Sequence, residues 1–270
     1  MRIKNVISTL MLMTALSFIT TACSNDDEPY VNEYVDGYVD GIAYTVNIDD
    51  MTAEVVNNTT PSTYSGNISL PPTVNINGKT FTVTSVGTAA FKGSSVSSIN
   101  FPASITNIGH SAFMECGKLK RVFIPSTVQR IWGAAFRECK ALSQLTIEDS
   151  SSPLDVGNEP TDAFFGSPIE KAYLGRECRI GFLYQPNNDS YLKYLTLGKN
   201  FTTVYRELFP TEPLTITCES DIPPELGEYD YVDITNKSYM ETIVYVSASA
   251  VETYKADEFW GKFWNIEPIK

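Results

Sequence analysis

One frame recurs along the middle of the chain and constrains the fold more than any other feature. It reads apolar-x-x-apolar-x-apolar. It occurs at Val96/Ile99/Phe101, Leu119/Val122/Ile124, Leu142/Leu145/Ile147, Ile169/Ala172/Leu174 and Leu192/Leu195/Leu197, with starts 23, 23, 27 and 23 residues apart. A second frame keeps step with it, at Val86-Gly-Thr-Ala-Ala-Phe91, Ile108-Gly-His-Ser-Ala-Phe113 and Ile131-Trp-Gly-Ala-Ala-Phe136. Val204 to Phe209 keeps the five-residue step with Tyr205 in place of glycine, and an insertion around 153–168 still retains Ala163-Phe164.

An apolar-x-apolar pair is a short strand that sends two side chains to one face. One unit holds roughly six buried positions, too few to fold alone, so neighbouring units must stack to make a continuous core. Pro71, Pro102 and Pro125 directly follow strand pairs. Proline has no N–H for a ladder, so these positions should mark strand ends. The pattern predicts a β-rich solenoid. Its strand pairs should form one parallel sheet, with Phe91, Phe113, Phe136, Phe164 and Phe209 in the core.

The unit Ile105-Thr-Asn-Ile-Gly-His-Ser-Ala-Phe113-Met-Glu-Cys-Gly-Lys-Leu119-Lys-Arg-Val-Phe-Ile-Pro125 resembles the BspA-like leucine-rich repeat, and the likeness covers 68–216. The resemblance implies a right-handed leucine-rich-repeat coil. The expected organisation is a leader at 1–22, a tether at 23–37, an N-terminal β cap at 38–82, the solenoid at 83–216 and a small α-helical C-terminal cap at 217–270. In the first cap Ile42 to Val56 alternates around a turn at Asp49-Asp50, and Asn77-Gly78 signals a hairpin. In the last, Val244 to Val246 reads as a final strand. Val251 to Tyr254 reads as a short helix capped by Ser247 or Ser249, with Trp260, Phe263, Trp264 and Ile266 as apolar bulk.

The leader has Arg2 and Lys4, then an apolar run from Val6 to Ile19, then Thr20-Thr21-Ala22-Cys23. This is the anatomy of a secretory signal, and the run is short for a membrane span. The small residue before Cys23 resembles a bacterial lipoprotein cleavage box, which implies lipidation of Cys23 and removal of 1–22. Ser24 to Pro29 is acidic and free of apolar residues, a solvated tether. It resembles the signal that sends some Gram-negative lipoproteins outward. The expected location is the outer membrane, surface-exposed, with membrane contact only through the lipid on Cys23.

The charge balance excludes some partners. Twenty basic against 32 acidic residues give −12 and a pI of about 4.6, the opposite of the basic footprint that nucleic acid requires. His110 is the single histidine, and the five cysteines form no C-x-x-C pair. Phosphate-loop, dinucleotide and zinc-protease motifs are lacking. His110 occupies a variable position of its repeat, matching Thr88 and Gly133, so no catalytic residue, metal site or cofactor is assigned. Cys116 and Cys139 are equivalent positions. They should stack in adjacent coils, as buried thiols in preference to a disulfide.

The residues between the inward positions face out of the sheet, onto the concave surface where solenoids usually bind. One column reads Ser98, Arg121, Gln144, Lys171, Tyr194. The next reads Asn100, Phe123, Thr146, Tyr173, Thr196. Neither contains an acid. Strand surfaces favour aromatics and threonine in any case, but three aromatics and two cations together make Arg121, Phe123, Lys171, Tyr173 and Tyr194 the candidate ligand-binding residues. The resemblance implies adhesion to a protein ligand on a host or neighbouring cell. A glycan ligand is the alternative, for a capturing accessory protein without catalysis.

Overall fold

The computed structural model describes residues 36–58, 63–156, 163–179, 191–205, 208–210, 212–227 and 234–270. The leader, Cys23 and the tether up to residue 35 lie outside the described residues.

The chain opens with an antiparallel meander of β1 (Gly37–Val39), β2 (Ile42–Asn47) and β3 (Thr52–Val56). After β4 (Ser65–Ser69) comes the hairpin of β5 (Thr73–Ile76) and β6 (Lys79–Val86). Its turn residues Asn77 and Gly78 are both left-handed, at φ 52° and 78°, as a two-residue hairpin turn requires. β3 lies parallel to β6, so the cap continues into the first ladder of the solenoid.

Six strands follow in alternation: β7 (Ser95–Asn100), β8 (Asn107–Ile108), β9 (Arg121–Ile124), β10 (Arg130–Ile131), β11 (Gln144–Ile147) and β12 (Asp155–Val156). β8, β10 and β12 stack on β6, bringing Val86, Ile108, Ile131 and Val156 into one column. β9 and β11 begin the second ladder. It continues through β13 (Lys171–Arg176), β14 (Tyr194–Asn200) and β16 (Thr215–Cys218), while β15 (Thr203–Val204) pairs with β17 (Glu225–Leu226). β7 bonds instead to β4, in a separate two-stranded sheet. The strand pairs therefore form two sheets where one was expected, with the break between β7 and β9.

The C-terminal region does more than close the end. After α1 (Asn236–Glu241), β18 (Ile243–Val246) joins β16 in parallel; after α2 (Val251–Ala256) and a 3-10 turn at Trp260–Lys262, β19 (Asn265–Pro268) joins β18. The sheet thus reaches seven strands and runs through the expected cap. Thr235 caps α1 by accepting from the Ser238 N–H at 3.1 Å. α2 begins after Ala250 without a side-chain cap, contrary to the expectation for Ser247 or Ser249. Ser247 is occupied elsewhere: its hydroxyl donates to Asp221, one coil away, and contacts Ser249.

Strand pairs point inward as their spacing predicted, and the strands end at or one residue before Leu70-Pro71, Phe101-Pro102 and Pro125. The repeat phenylalanines are buried and stack. Phe91, Phe113, Phe136 and Phe164 follow one another at centroid separations of 4.9, 5.1 and 5.2 Å, with planes within 8° of parallel. These separations track the spacing of β-strands. Phe209 is also buried, but it packs on Phe259 and Trp260 of the C-terminal region.

Three residues after each stacked phenylalanine lies a second column: Ser94, Cys116, Cys139 and Ser167, all buried. The Cys116 thiol donates to the Phe91 carbonyl at 3.1 Å, Cys139 to Phe113 at 3.0 Å, and the Ser167 hydroxyl to Phe136 at 2.6 Å. Each coil thus satisfies a buried carbonyl of the coil before it. Cys116, Cys139, Cys178 and Cys218 are all free thiols.

Candidate functional site

Strand register places the outward residues in two straight columns. The first is Arg121, Gln144, Lys171, Tyr194, Thr215, Ile243 and Asn265; the second is Phe123, Thr146, Tyr173, Thr196, Thr217, Tyr245 and Glu267. Ser98 and Asn100 stand apart, hydrogen-bonded to Asn67 and Ser69 of β4. The columns are thus longer than expected at the C-terminal end and one strand shorter at the other.

The five candidate residues share this face but differ in availability. Phe123 is 48% exposed and Tyr194 51% exposed. Arg121 and Lys171 are exposed too. The Lys171 ammonium lies 5.5 Å from the centroid of the Tyr194 ring, on the adjacent strand. That is within cation–π range, so the cation and the ring form one unit. Thr146 separates Phe123 from Tyr173 across three strands.

Tyr173 is only partly exposed, and its hydroxyl is engaged. It donates to Asp149 at 2.7 Å and to Glu219 at 3.3 Å. Burial, then these two carboxylates, raise its pKa. Asp149 reaches it because Gly175 and Gly198 leave room. A Cβ on Gly175 would lie 2.5 Å from the Asp149 amide nitrogen, and one on Gly198 would lie 2.8 Å from its carboxylate. The columns near the predicted residues lack acids, but the ends of the strands carry them. The face grades from Arg121 and Lys171, through Phe123 and Tyr173, to Asp149 and Glu219.

Arg176 was not singled out from the sequence. It is 1% exposed and donates to three carbonyls: Nη1 to Ser126 at 3.0 Å, Nη2 to Pro125 at 3.0 Å and to Val128 at 2.7 Å. It holds the turn after β9 against the coil two strands on. Burial lowers its pKa. The Glu148 carboxylate accepts from the Ser126 N–H at 2.6 Å, and this bond, with Arg176 nearby, lowers its pKa. The only sequence signal for Arg176 was a charge two residues after the inward frame that ends at Leu174.

His110 is exposed, and its Nδ1 lies 3.0 Å from the Ser111 hydroxyl. No carboxylate orients the ring among the described residues, so the geometry of a triad is not assembled there. Among the described residues no three His, Cys, Asp or Glu side chains gather as metal ligands.

Residues 69–182 match the model of the BspA type leucine rich repeat region in six copies. No curated protein matches the chain. Solved structures with a similar trace include a leucine-rich repeat protein from Bacteroides capillosus, 21% identical with TM-score 0.43, the match covering 60% of this chain and 96% of that one. A leucine rich cell surface protein from Faecalibacterium prausnitzii is 22% identical, TM-score 0.48, with 77% and 54% covered. A leucine-rich repeat protein from Bacteroides ovatus is 22% identical, TM-score 0.47, with 80% and 56% covered. The matches thus span little more than half the length of the last two proteins. Among the described residues no helix is long and apolar enough to cross a membrane.

Proposed function

We propose, from the premise that the repeat region belongs to the BspA-type leucine-rich-repeat family, that the chain is a cell-surface binding protein. It captures a macromolecular partner on the outward face of its long parallel sheet and does no chemistry on it. The observation that carries this reading is Phe123 and Tyr194, each about half exposed on a regular sheet, with Lys171 set over the Tyr194 ring. Tyrosine is enriched among binding hot spots and phenylalanine among interface residues generally. The gradient from cations to carboxylates suits an extended protein segment laid across the strands, with its acidic groups toward Arg121 and Lys171. The repeat adds one strand per coil, so the contact grows with the length of the segment.

Anchoring is part of the proposal. Cys23 carries the lipid, and the acidic tether leads the protein to the outer face of the outer membrane. Fatty-acid labelling in cells should mark the wild type and miss Cys23→Ala; equal labelling of both overturns the anchor. The binding role is tested by screening the full chain against arrays of extracellular-matrix proteins and of glycans. A protein hit lost on Phe123→Ala with Tyr194→Ala supports the reading. A hit confined to glycans, lost on the same pair, moves the function to glycan capture.

A further inference from the structure

A second candidate site lies at the C-terminal end of the solenoid, where the sheet ends three strands beyond Tyr194. An open cavity of about 590 Å³ is lined by Asn236, Tyr239, Met240, Gly261, Lys262 and Trp264. The surrounding cluster buries its large aromatics: Phe259, Trp260 and Phe263 are all at or below 6% exposed. Trp264, directly after them, is 71% exposed. It is nevertheless firmly placed. Its N–H donates to the Tyr239 carbonyl at 3.0 Å, and the next residue, Asn265, donates its side-chain amide to the Met240 carbonyl at 2.7 Å. Tyr239 packs edge-on against buried Phe263 with centroids 5.0 Å apart. The aromatic walls are thus tied to the core through their backbones while the indole stays in solvent.

The polar groups are as selective as the aromatic ones. In a chain with 32 acidic residues, none of the six lining residues is acidic. Lys237 pairs with Glu212 and Lys255 with Glu252, whereas Lys262, at the cavity, makes no ion pair among the described residues. Asn236, in the first turn of α1, adds an amide with donors and an acceptor. An open indole, an amide and an ammonium without an ion pair among the described residues suit a ligand that joins a stackable ring face, hydroxyls and an anionic group. A pyranose presents a ring face of C–H groups that stacks on an indole, hydroxyls for an amide, and, in a uronic acid, a carboxylate for a lysine. Peptide side chains with a carboxylate lack the ring face, and neutral sugars leave Lys262 unused.

We propose that this cavity binds a hexuronate residue of an acidic polysaccharide, with the sugar ring on Trp264 and its carboxylate at Lys262. The site borders the end of the sheet face at Asn265 but uses none of the five candidate residues there, so it stands without the reading of that face.

The test titrates the full chain with trigalacturonate and with its methyl ester, followed by tryptophan emission and calorimetry. The acid should bind and the ester should bind at least about tenfold more weakly, the loss of one charged contact. Trp264→Ala should weaken trigalacturonate at least about tenfold while the circular dichroism spectrum is unchanged. Lys262→Met, at an exposed position, should abolish the preference for acid over ester. Absence of binding at millimolar acid, binding unchanged in Trp264→Ala, or a preference kept in Lys262→Met each overturns the site. Phe123→Ala with Tyr194→Ala serves as control and should leave sugar binding intact. If that pair, rather than Trp264→Ala, removes it, the sugar is held by the sheet face and the end cavity is empty of function.

Discussion

Phe113 and Phe136 stack with ring centroids 5.1 Å apart and planes 2° from parallel, although 23 residues separate them in the chain. Phe113 also stacks on Phe91 and meets Phe101 edge-on, so it touches three rings. It is the middle of the ladder, and its loss opens a void that neighbours on both sides line. Phe113→Ala should therefore destabilise by about 3–5 kcal/mol, the range for large core truncations, read as a fall in the urea midpoint. A loss under about 1 kcal/mol would show that the coils close over the gap.

Two residues after the stacked phenylalanines the backbone is left-handed in every coil described. Gly93 and Gly166 occupy that position at φ 69° and 73°, but Glu115 and Glu138 occupy it at 63° and 60°. The conformation costs a non-glycine residue about 1 kcal/mol. Glu115 is exposed, so Glu115→Gly should raise stability by about 0.5–1 kcal/mol by thermal melting, despite the extra freedom glycine gains when unfolded. A lower melting temperature would mean that the Glu115 side chain outweighs its backbone.

Removing Arg176 leaves three carbonyls of one turn without their donor. Arg176→Ala should cost about 3 kcal/mol or more in urea unfolding, as when one partner of a buried charged contact is deleted. Arg176→Lys should restore only part of this, because one ammonium cannot reproduce the two-nitrogen fork that serves Pro125, Ser126 and Val128.

Burial pushes the thiols of Cys178 and Cys218 up from 9.0 to about 12. The unfolded chain therefore loses these two protons first. Between about pH 9 and 12 the folded state holds more protons than the unfolded one, so stability falls as pH rises, and below pH 9 the contribution is fully present. Urea midpoints measured from pH 8 to 11 should decline, and the decline should be shallower in Cys218→Ala. The same burial should keep Cys116, Cys139, Cys178 and Cys218 unreactive toward a bulky disulfide reagent at pH 8 until the protein is unfolded.

On the sheet face, Phe123→Ala with Tyr194→Ala should remove binding of an identified protein partner by about 100-fold or more, since both rings are of types enriched at interfaces. Melting temperature should change little, because both side chains stand outside the core. Tyr173→Phe is the informative companion. It frees the Asp149 and Glu219 carboxylates, and should weaken an acidic partner without unfolding the protein.

Much of this was written in the chain at a period near 23. Val122 and Ile124, and their counterparts in later units, are inward because alternation within a strand leaves no other choice once one face is buried. Phe91, Phe113, Phe136 and Phe164 stack because each holds the same place in its unit, even where the insertion lengthens the step to Phe164. The proline after β9 marks its end because it cannot donate to a ladder. The same periodicity named Arg121, Phe123, Lys171, Tyr173 and Tyr194 as neighbours on one face, and their register follows it strand for strand. The strand at Val244 to Val246 was legible, but β19 and the continuation of the sheet were not, because two helices and aromatic bulk interrupt the frame before Ile266.

Tertiary structure decided what does not repeat. Arg176 finds its carbonyls about 50 residues back in the chain, and Tyr173 meets Glu219 across 46. Trp264 acquires its cavity from α1, 25 residues earlier, through the carbonyl of Tyr239. A repeat encodes which residues share a column, because that depends on spacing alone. Which polar groups meet between columns depends on the lengths of individual coils and on single side chains, and those vary from unit to unit. The fold is therefore legible in the apolar period, whereas the hydroxyl clasped by two acids, the buried guanidinium and the open indole exist only once the coils are stacked.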